Sequence, residues 1–553
     1  MCIRDSNTTD KGTVRLILNN ASISNTTTAP IKVLDAKKVI LTLADNTTNT
    51  ITDSSRLSTE EDYSAVIYSK EDLIINGNGT LNVNAGYRNG IKSTDDCIIV
   101  SGTLNITSTE DGIIGKDLCG IVAGDININA GSDGIKSTYD TDTTKGNVII
   151  EGGNITIKAS NDGIQAENIL VINDGTINIK TNNGAADTTQ THIDNMDMGR
   201  GGFGFNNNKT TTTTDDTSES RKGIKAGNML IINDGDITID SDDDSVHCNS
   251  VIYIYGGTIN AATGDDGVHA DDLLTVNGGT INITQCYEGL EADDIVINDG
   301  DISVVSSDDG INSSDGSITI NGGNLLINAS GDGLDANGSI IINGGYIVVL
   351  GPTSDGDTAI DYDDSCTING GTVMAFGSSG MLEIPKGASN GACIVTAFTS
   401  VSGGSKYTLS DSNGNEILSY TPSKAYAAAI VYSDKITTGN TYDITAGSTT
   451  LSIEVTSDVT SNVSSGLGKA GGMNMPGNGG SGMPNNGSSD NGMNGNSNGS
   501  MPDMSGNGAP DMNGNSSGDM PSMGGNSSNN GGNMPNMNNG SSNGSAPQMN
   551  NRM

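Results

Sequence analysis

The chain has 553 residues, enough for roughly two to four domains, but 77 Gly, 4 Phe, no Trp and 33% apolar residues are not the composition of an ordinary globular enzyme. Acids outnumber bases 66 to 26, for a net charge of −40, which repels nucleic acid and anionic lipid. No run of about 18 apolar residues offers a membrane-spanning helix, and seven thinly spread Cys do not make a disulfide framework.

Residues 1–6, Met-Cys-Ile-Arg-Asp-Ser, read as a translated sequencing adapter. The natural N-terminus, with any export signal, is therefore expected to be missing. Residues 7–75 carry weak strand patterns, at Val14–Leu18 and Val39–Leu43, and are expected to be irregular first coils or a cap.

From 76 to 379 a unit repeats: Asp-Gly-apolar, a polar turn, alternating apolar residues, then Asn and Gly-Gly or Asp-Gly. Asp266-Gly267-Val268 with Asn277-Gly278-Gly279 is one instance. The period is about 22 residues, with insertions near 139–146 and 184–221. Each unit holds three short strands of period two and no helical periodicity. One such unit buries too little to stand alone, so neighbours must stack. The expected fold is all-β, a right-handed parallel β-helix. Asn173, Asn233, Asn277, Asn298, Asn321, Asn343 and Asn369 share one turn position, as an amide ladder would. Cys97 and Cys119, one period apart, are expected to stack in the core as small hydrophobes, with a disulfide as the alternative.

Charge is concentrated in residues 226–385, which hold 27 Asp or Glu and no Lys or Arg. Like charges stacked about 5 Å apart cost roughly 3 kcal/mol per uncompensated pair, so a divalent cation is expected to offset them. The residue before each signature glycine, among them Asp111, Asp244, Asp266, Glu288 and Asp309, is expected to point outward. Two residues after the glycine runs a second ladder that includes Lys136, Lys225, His247, His269, Glu291 and Asp335. Asp271, Glu291 and Asp293 are expected to form one cluster. Asp243, Asp244, Asp265 and Asp266 form another. Oxygen-only groups suit Ca2+, and three His in the chain make a zinc site a poor fit.

Residues 380–465 lose the repeat but stay strand-rich, as a β cap over the open end would. Residues 466–553 are Gly, Asn, Ser, Met and Pro, a composition expected to be a disordered tail.

The succession Ser220–Ala226 (SRKGIKA), Asp243–His247 (DDSVH), Asp265–Asp271 (DDGVHAD), Tyr287–Ala292 (YEGLEA) and Asp308–Asn312 (DDGIN) resembles the carbohydrate-binding β-helix family. Its members are bacterial, exported, and similar in fold to calcium-dependent pectate lyases. The resemblance covers about residues 50–460. It implies calcium-dependent, non-catalytic binding of cellulose or an acidic plant polysaccharide such as polygalacturonate, at the cell surface or outside the cell. It also implies that Asp243, Asp244, Asp265, Asp266, Asp271, Glu288, Glu291, Asp293, Asp308 and Asp309 are the calcium ligands. Lys225, His247, His269, Tyr253 and Tyr287 are expected to meet the polymer. The chain is expected to act as a monomer without nucleic-acid or membrane partners. A calcium-dependent lyase using Lys136 or Lys225 as base and a purely structural or adhesive surface module are the alternatives.

Overall fold

The computed structural model describes residues 12–55, 63–186 and 220–463. These form a parallel β-solenoid of about 15 turns without an α-helix among the described residues. Residues 1–6, most of the 184–221 insertion with Phe203 and Phe205, and the 466–553 tail lie outside the described residues.

Each coil has three legs. In one coil they are Ile224–Ala226, Met229–Ile232 and Asp236–Ser241. Each pairs in parallel with the same leg of the next coil, at Val246–Cys248, Val251–Ile254 and Thr258–Thr263. Alternation of apolar and polar residues along every leg sends one set inward. Ile224, Val246, Val268, Leu290, Ile311 and Leu334 thus stack in register as one fully buried line. Burying each such side chain stabilises the stack by about 1.5–3 kcal/mol.

The signature glycine is a matter of clearance. A Cβ at Gly267 would stand 2.4 Å from Ile283 Cδ1 and 2.5 Å from the Gly289 carbonyl oxygen of the next coil. The second glycine of the Gly-Gly turn answers a different need: Gly279 has φ +92°, a left-handed conformation that side chains disfavour.

The Asn ladder is present. Asn298 donates to Asn277 (2.9 Å), Asn321 to Asn298 (2.9 Å), Asn343 to Asn321 (2.8 Å) and Asn369 to Asn343 (3.0 Å). Asn233 likewise donates to Asn173 at 2.7 Å. Cys97 and Cys119 are direct register partners, fully buried and free thiols.

The stack begins well before residue 76. Thr13–Leu18 pairs in parallel with Lys38–Leu43, and that strand pairs with Leu73–Gly77. At the other end, Tyr426–Ser433 pairs antiparallel with Thr372–Gly377 and ends the parallel succession. A four-stranded antiparallel sheet over residues 407–454 follows. Its Tyr407, Leu409, Tyr442 and Ile444 share a core with Val348, Leu350, Met374 and Phe376. This cap covers the last coils and removes an exposed edge.

Candidate functional site

The acidic ladders lie on the first leg and on the turn leading into it. Parallel register aligns Lys225, His247, His269, Glu291, Asn312 and Asp335 along the outer side of the first leg.

The sequence pattern points the residue before each signature glycine outward, but none of these residues is fully exposed, and Asp111, Glu288, Asp309 and Asp332 are half-buried. Asp133, Asp162, Asp244 and Asp266 are buried. The turn into the first leg is tight, and the carboxylate folds back along the stack. There it accepts the backbone N–H of the equivalent residue in the next coil: Asp111 from Asp133 (3.1 Å), Asp133 from Asp162 (3.0 Å), Asp244 from Asp266 (3.1 Å), Asp266 from Glu288 (3.2 Å) and Asp309 from Asp332 (2.6 Å). Each such bond satisfies a turn amide that would otherwise be buried without a partner. The ladder is therefore structural as well as electrostatic.

Its cost is a file of stacked carboxyl groups. Burial, followed by the neighbouring acids, pushes Asp309 and Asp332 up to about 8. Glu288 and Glu291 are likewise pushed up to about 8, and Asp266 rises well above the ordinary carboxylate range. Asp244 moves the other way. Burial alone would raise it, but Lys222 and the adjacent imidazoles hold it well below that range.

Lys222 corrects a second expectation. It lies outside the basic-free stretch in sequence but only one coil away in space. Its Nζ stands 2.8 Å from Asp243 Oδ1 and 2.6 Å from Asp244 Oδ2, while Arg221 reaches Asp242 at 2.7 Å. Basic side chains do offset part of the charge there.

The structure divides the predicted metal ligands among several groups. Asp243, Asp244 and Asp265 converge, with the Lys222 ammonium against the first two. Asp266 groups instead with Glu291 and His269, and Asp244 also groups with His247 and His269. Asp309 meets Asp332 and Asp335 in a group made only of carboxylate oxygens. Asp271, Glu291 and Asp293 do not form the expected cluster. Asp271 is an exposed rim residue 3.6 Å from His269 Nε2, and Asp293 instead accepts from Ser314 Oγ at 3.2 Å. Glu288 accepts from Asn312 at 2.8 Å, and the Asp308 carbonyl accepts the Gly331 N–H.

Asp332 and Asp335 were not among the predicted ligands, although each continues a ladder in register. Asp72, Asp95 and Asp96, which also converge, were missed because they lie in early coils outside the basic-free stretch. Burial and the surrounding acids push Asp95 and Asp96 up to about 6.

The predicted polymer-binding residues divide between faces. Lys225 reaches Ser220 Oγ at 3.2 Å, and His247 and His269 follow it along the first leg. Tyr253 sits on the second leg, in register with Thr275, and stacks on Tyr255 with ring centroids 6.4 Å apart. Tyr255 is 49% exposed and takes the turn position between Asn233 and Asn277 in the Asn ladder. Tyr287 is half-buried in the turn before the first leg, its N–H donating to the Asp265 carbonyl.

A family profile described as carbohydrate-binding domain-containing protein matches residues 5–267 and 265–498. A carbohydrate-binding domain-containing protein of Acetivibrio thermocellus is 39% identical over 95 residues, which are 16% of this chain and 33% of that protein. The match thus spans a third of that relative's length. A solved structure, of a polysaccharide lyase-like protein from C. thermocellum as a gadolinium derivative, is 36% identical. That match covers 31% of this chain and 70% of the other, with a TM-score of 0.30.

Proposed function

The chain belongs to the carbohydrate-binding domain-containing family, and from that premise we propose that it binds an acidic polysaccharide without cleaving it, through calcium held on the carboxylate ladder, at the cell surface or outside the cell. The observation that carries this reading is the Asp309–Asp332–Asp335 group. It offers only oxygen donors, as Ca2+ prefers. Two of its carboxyls are pushed to about 8 by burial and the surrounding acids, so a dication would replace protons that crowding holds in place.

Asp243–Asp244–Asp265 fits calcium less well, because the Lys222 ammonium already lies against two of its three carboxylates. Calcium on the ladder would present positive charge to uronate carboxylates that the bare acidic face repels. Parallel coils repeat that opportunity along the stack, so weak contacts add. Exposed Tyr255, stacked on half-buried Tyr253, supplies apolar ring surface for sugar.

The placement of lysine favours binding over elimination. A base that removes a proton must spend time unprotonated. Burial opposes the charge on Lys222, but Asp244 and Asp243 override it and raise its pKa above the ordinary lysine value. The lysine beside the acids is thus held as a cation. Lys136 is held similarly, 2.5 Å from Asp133 Oδ2.

Co-sedimentation of the chain with cross-linked polygalacturonate and with cellulose, in calcium or chelator, tests the reading. Calcium-dependent retention without unsaturated uronides in the supernatant is expected. Release of unsaturated product would convert the binder into a lyase. Absence of retention on either polymer would leave a structural role.

A further inference from the structure

His247 and His269 sit on adjacent coils, edge to face with ring centroids 4.9 Å apart, among the carboxylates of Asp244, Asp266 and Glu291. Their environment differs from the oxygen-only group in one respect: it offers imidazole nitrogens. His247 is 8% exposed. Its Nε2 lies 2.9 Å from Asn249 Oδ1. An amide oxygen only accepts, so Nε2 carries a proton and Nδ1 is the nitrogen that faces the acids. That Nδ1 is buried, makes no hydrogen bond of acceptable geometry, and stands 2.8 Å from Asp244 Oδ2. Between a ring nitrogen and a carboxylate at that distance a cation is required, a proton or a metal ion, and the geometry at Nδ1 is not that of a good hydrogen bond. Orientation of a ligating imidazole by a hydrogen bond on its other nitrogen is the usual support for a metal ligand.

His269 repeats the pattern. Its Nδ1 is 3.3 Å from Glu291 Oε2, 3.4 Å from Asp266 Oδ2 and 3.7 Å from Asp244 Oδ2. Charge-assisted N–H···O bonds run about 2.7–2.9 Å, so these contacts are long for hydrogen bonds. The two shorter ones match the ligand–ligand edges, about 3.3–3.6 Å, of a tetrahedron built from metal bonds of about 2.0–2.2 Å, and the Asp244 contact is slightly longer. Lys222 Nζ lies 2.6 Å from that same Asp244 oxygen, while Asp266 and Glu291 have only His269 as a basic neighbour among the described residues.

We propose that the chain carries a transition-metal site, separate from the calcium group, in which His247, His269 and Asp244 hold one dication of the Zn2+ class and Asp266 and Glu291 close its other side. Imidazole with carboxylate selects such an ion over Ca2+, which takes oxygen. The site does not depend on the polysaccharide reading.

The test uses the full chain, stripped of metal and then kept in excess Ca2+, titrated with Zn2+ alone and with Co2+ alone. One Zn2+ equivalent is expected that Ca2+ does not displace, weakened more than about 10-fold in His269→Gln and in His247→Gln and unchanged in the double variant Asp309→Asn/Asp332→Asn. Co2+ is expected to give visible d–d bands that the His variants lack. Glu291→Gln, at a partly buried position with 20% of its side chain accessible, is expected to weaken Zn2+ binding even if His247→Gln does not fold. Equal Zn2+ binding by a folded His247→Gln/His269→Gln chain, or displacement of Zn2+ by Ca2+, would overturn the proposal. Absence of calcium-dependent polymer retention by the unaltered chain, with Zn2+ binding intact, would count against the calcium reading alone.

Discussion

Calcium binding to the Asp309–Asp332–Asp335 group should release protons, and the number follows from the structure. Asp309 and Asp332 are each pushed up to about 8, so near pH 7 each is about 90% protonated in the cation-free chain. A bound dication requires both as carboxylates. Binding near pH 7 should therefore release about 1.8 protons, and near pH 9 about 0.2. Calcium affinity should rise about 100-fold across that interval, or about 2.7 kcal/mol. Isothermal titration in buffers of different ionisation enthalpy reads the proton count directly. Binding that releases no protons and keeps one affinity from about pH 7 to about pH 9 would refute the reasoning. So would an unchanged proton count in Asp309→Asn/Asp332→Asn.

The same carboxyls set a pH dependence of stability. Their folded pKa lies above the unfolded value of about 4, so without cation the folded chain retains protons that the unfolded chain has lost. Stability should fall as pH rises from about 4 to about 8, by about 1.4 kcal/mol per pH unit for each retained proton, and calcium should flatten the slope in denaturant melts. Lys222→Met leaves Asp243 and Asp244 without their partner and should destabilise the surrounding coils by about 3–5 kcal/mol, seen as early exchange of amides in residues 220–270. Gly267→Ala drives a methyl into a backbone carbonyl and Ile283 and should cost about 1–3 kcal/mol in thermal melts. Tyr253→Ala/Tyr255→Ala should weaken polymer retention about 2- to 10-fold without moving the melting temperature.

Period and register were legible in the sequence because a solenoid repeats one physical problem. Gly267 and its equivalents must clear the next coil's carbonyl. Asn277, Asn298 and Asn321 must satisfy one another. Alternation in each leg must feed one core. The direction of the Asp before the glycine was not legible. Alternation places it on the outer side, but the unmet N–H of the next turn, visible only in three dimensions, draws it inward. Lys222 was misjudged for a related reason: distance along the chain hid the fact that one coil places it against Asp244. The grouping of Asp266 with His269 and Glu291, rather than with Asp265, likewise depends on which way a turn residue folds back.

Affinity electrophoresis through gels containing polygalacturonate, comparing the chain with Asp309→Asn/Asp332→Asn in calcium and in chelator, tests the central claim most directly. Retardation of the unaltered chain in calcium alone, lost in the variant, is the predicted result. Equal mobility of both proteins in every gel, or retardation that chelator does not relieve, would contradict it.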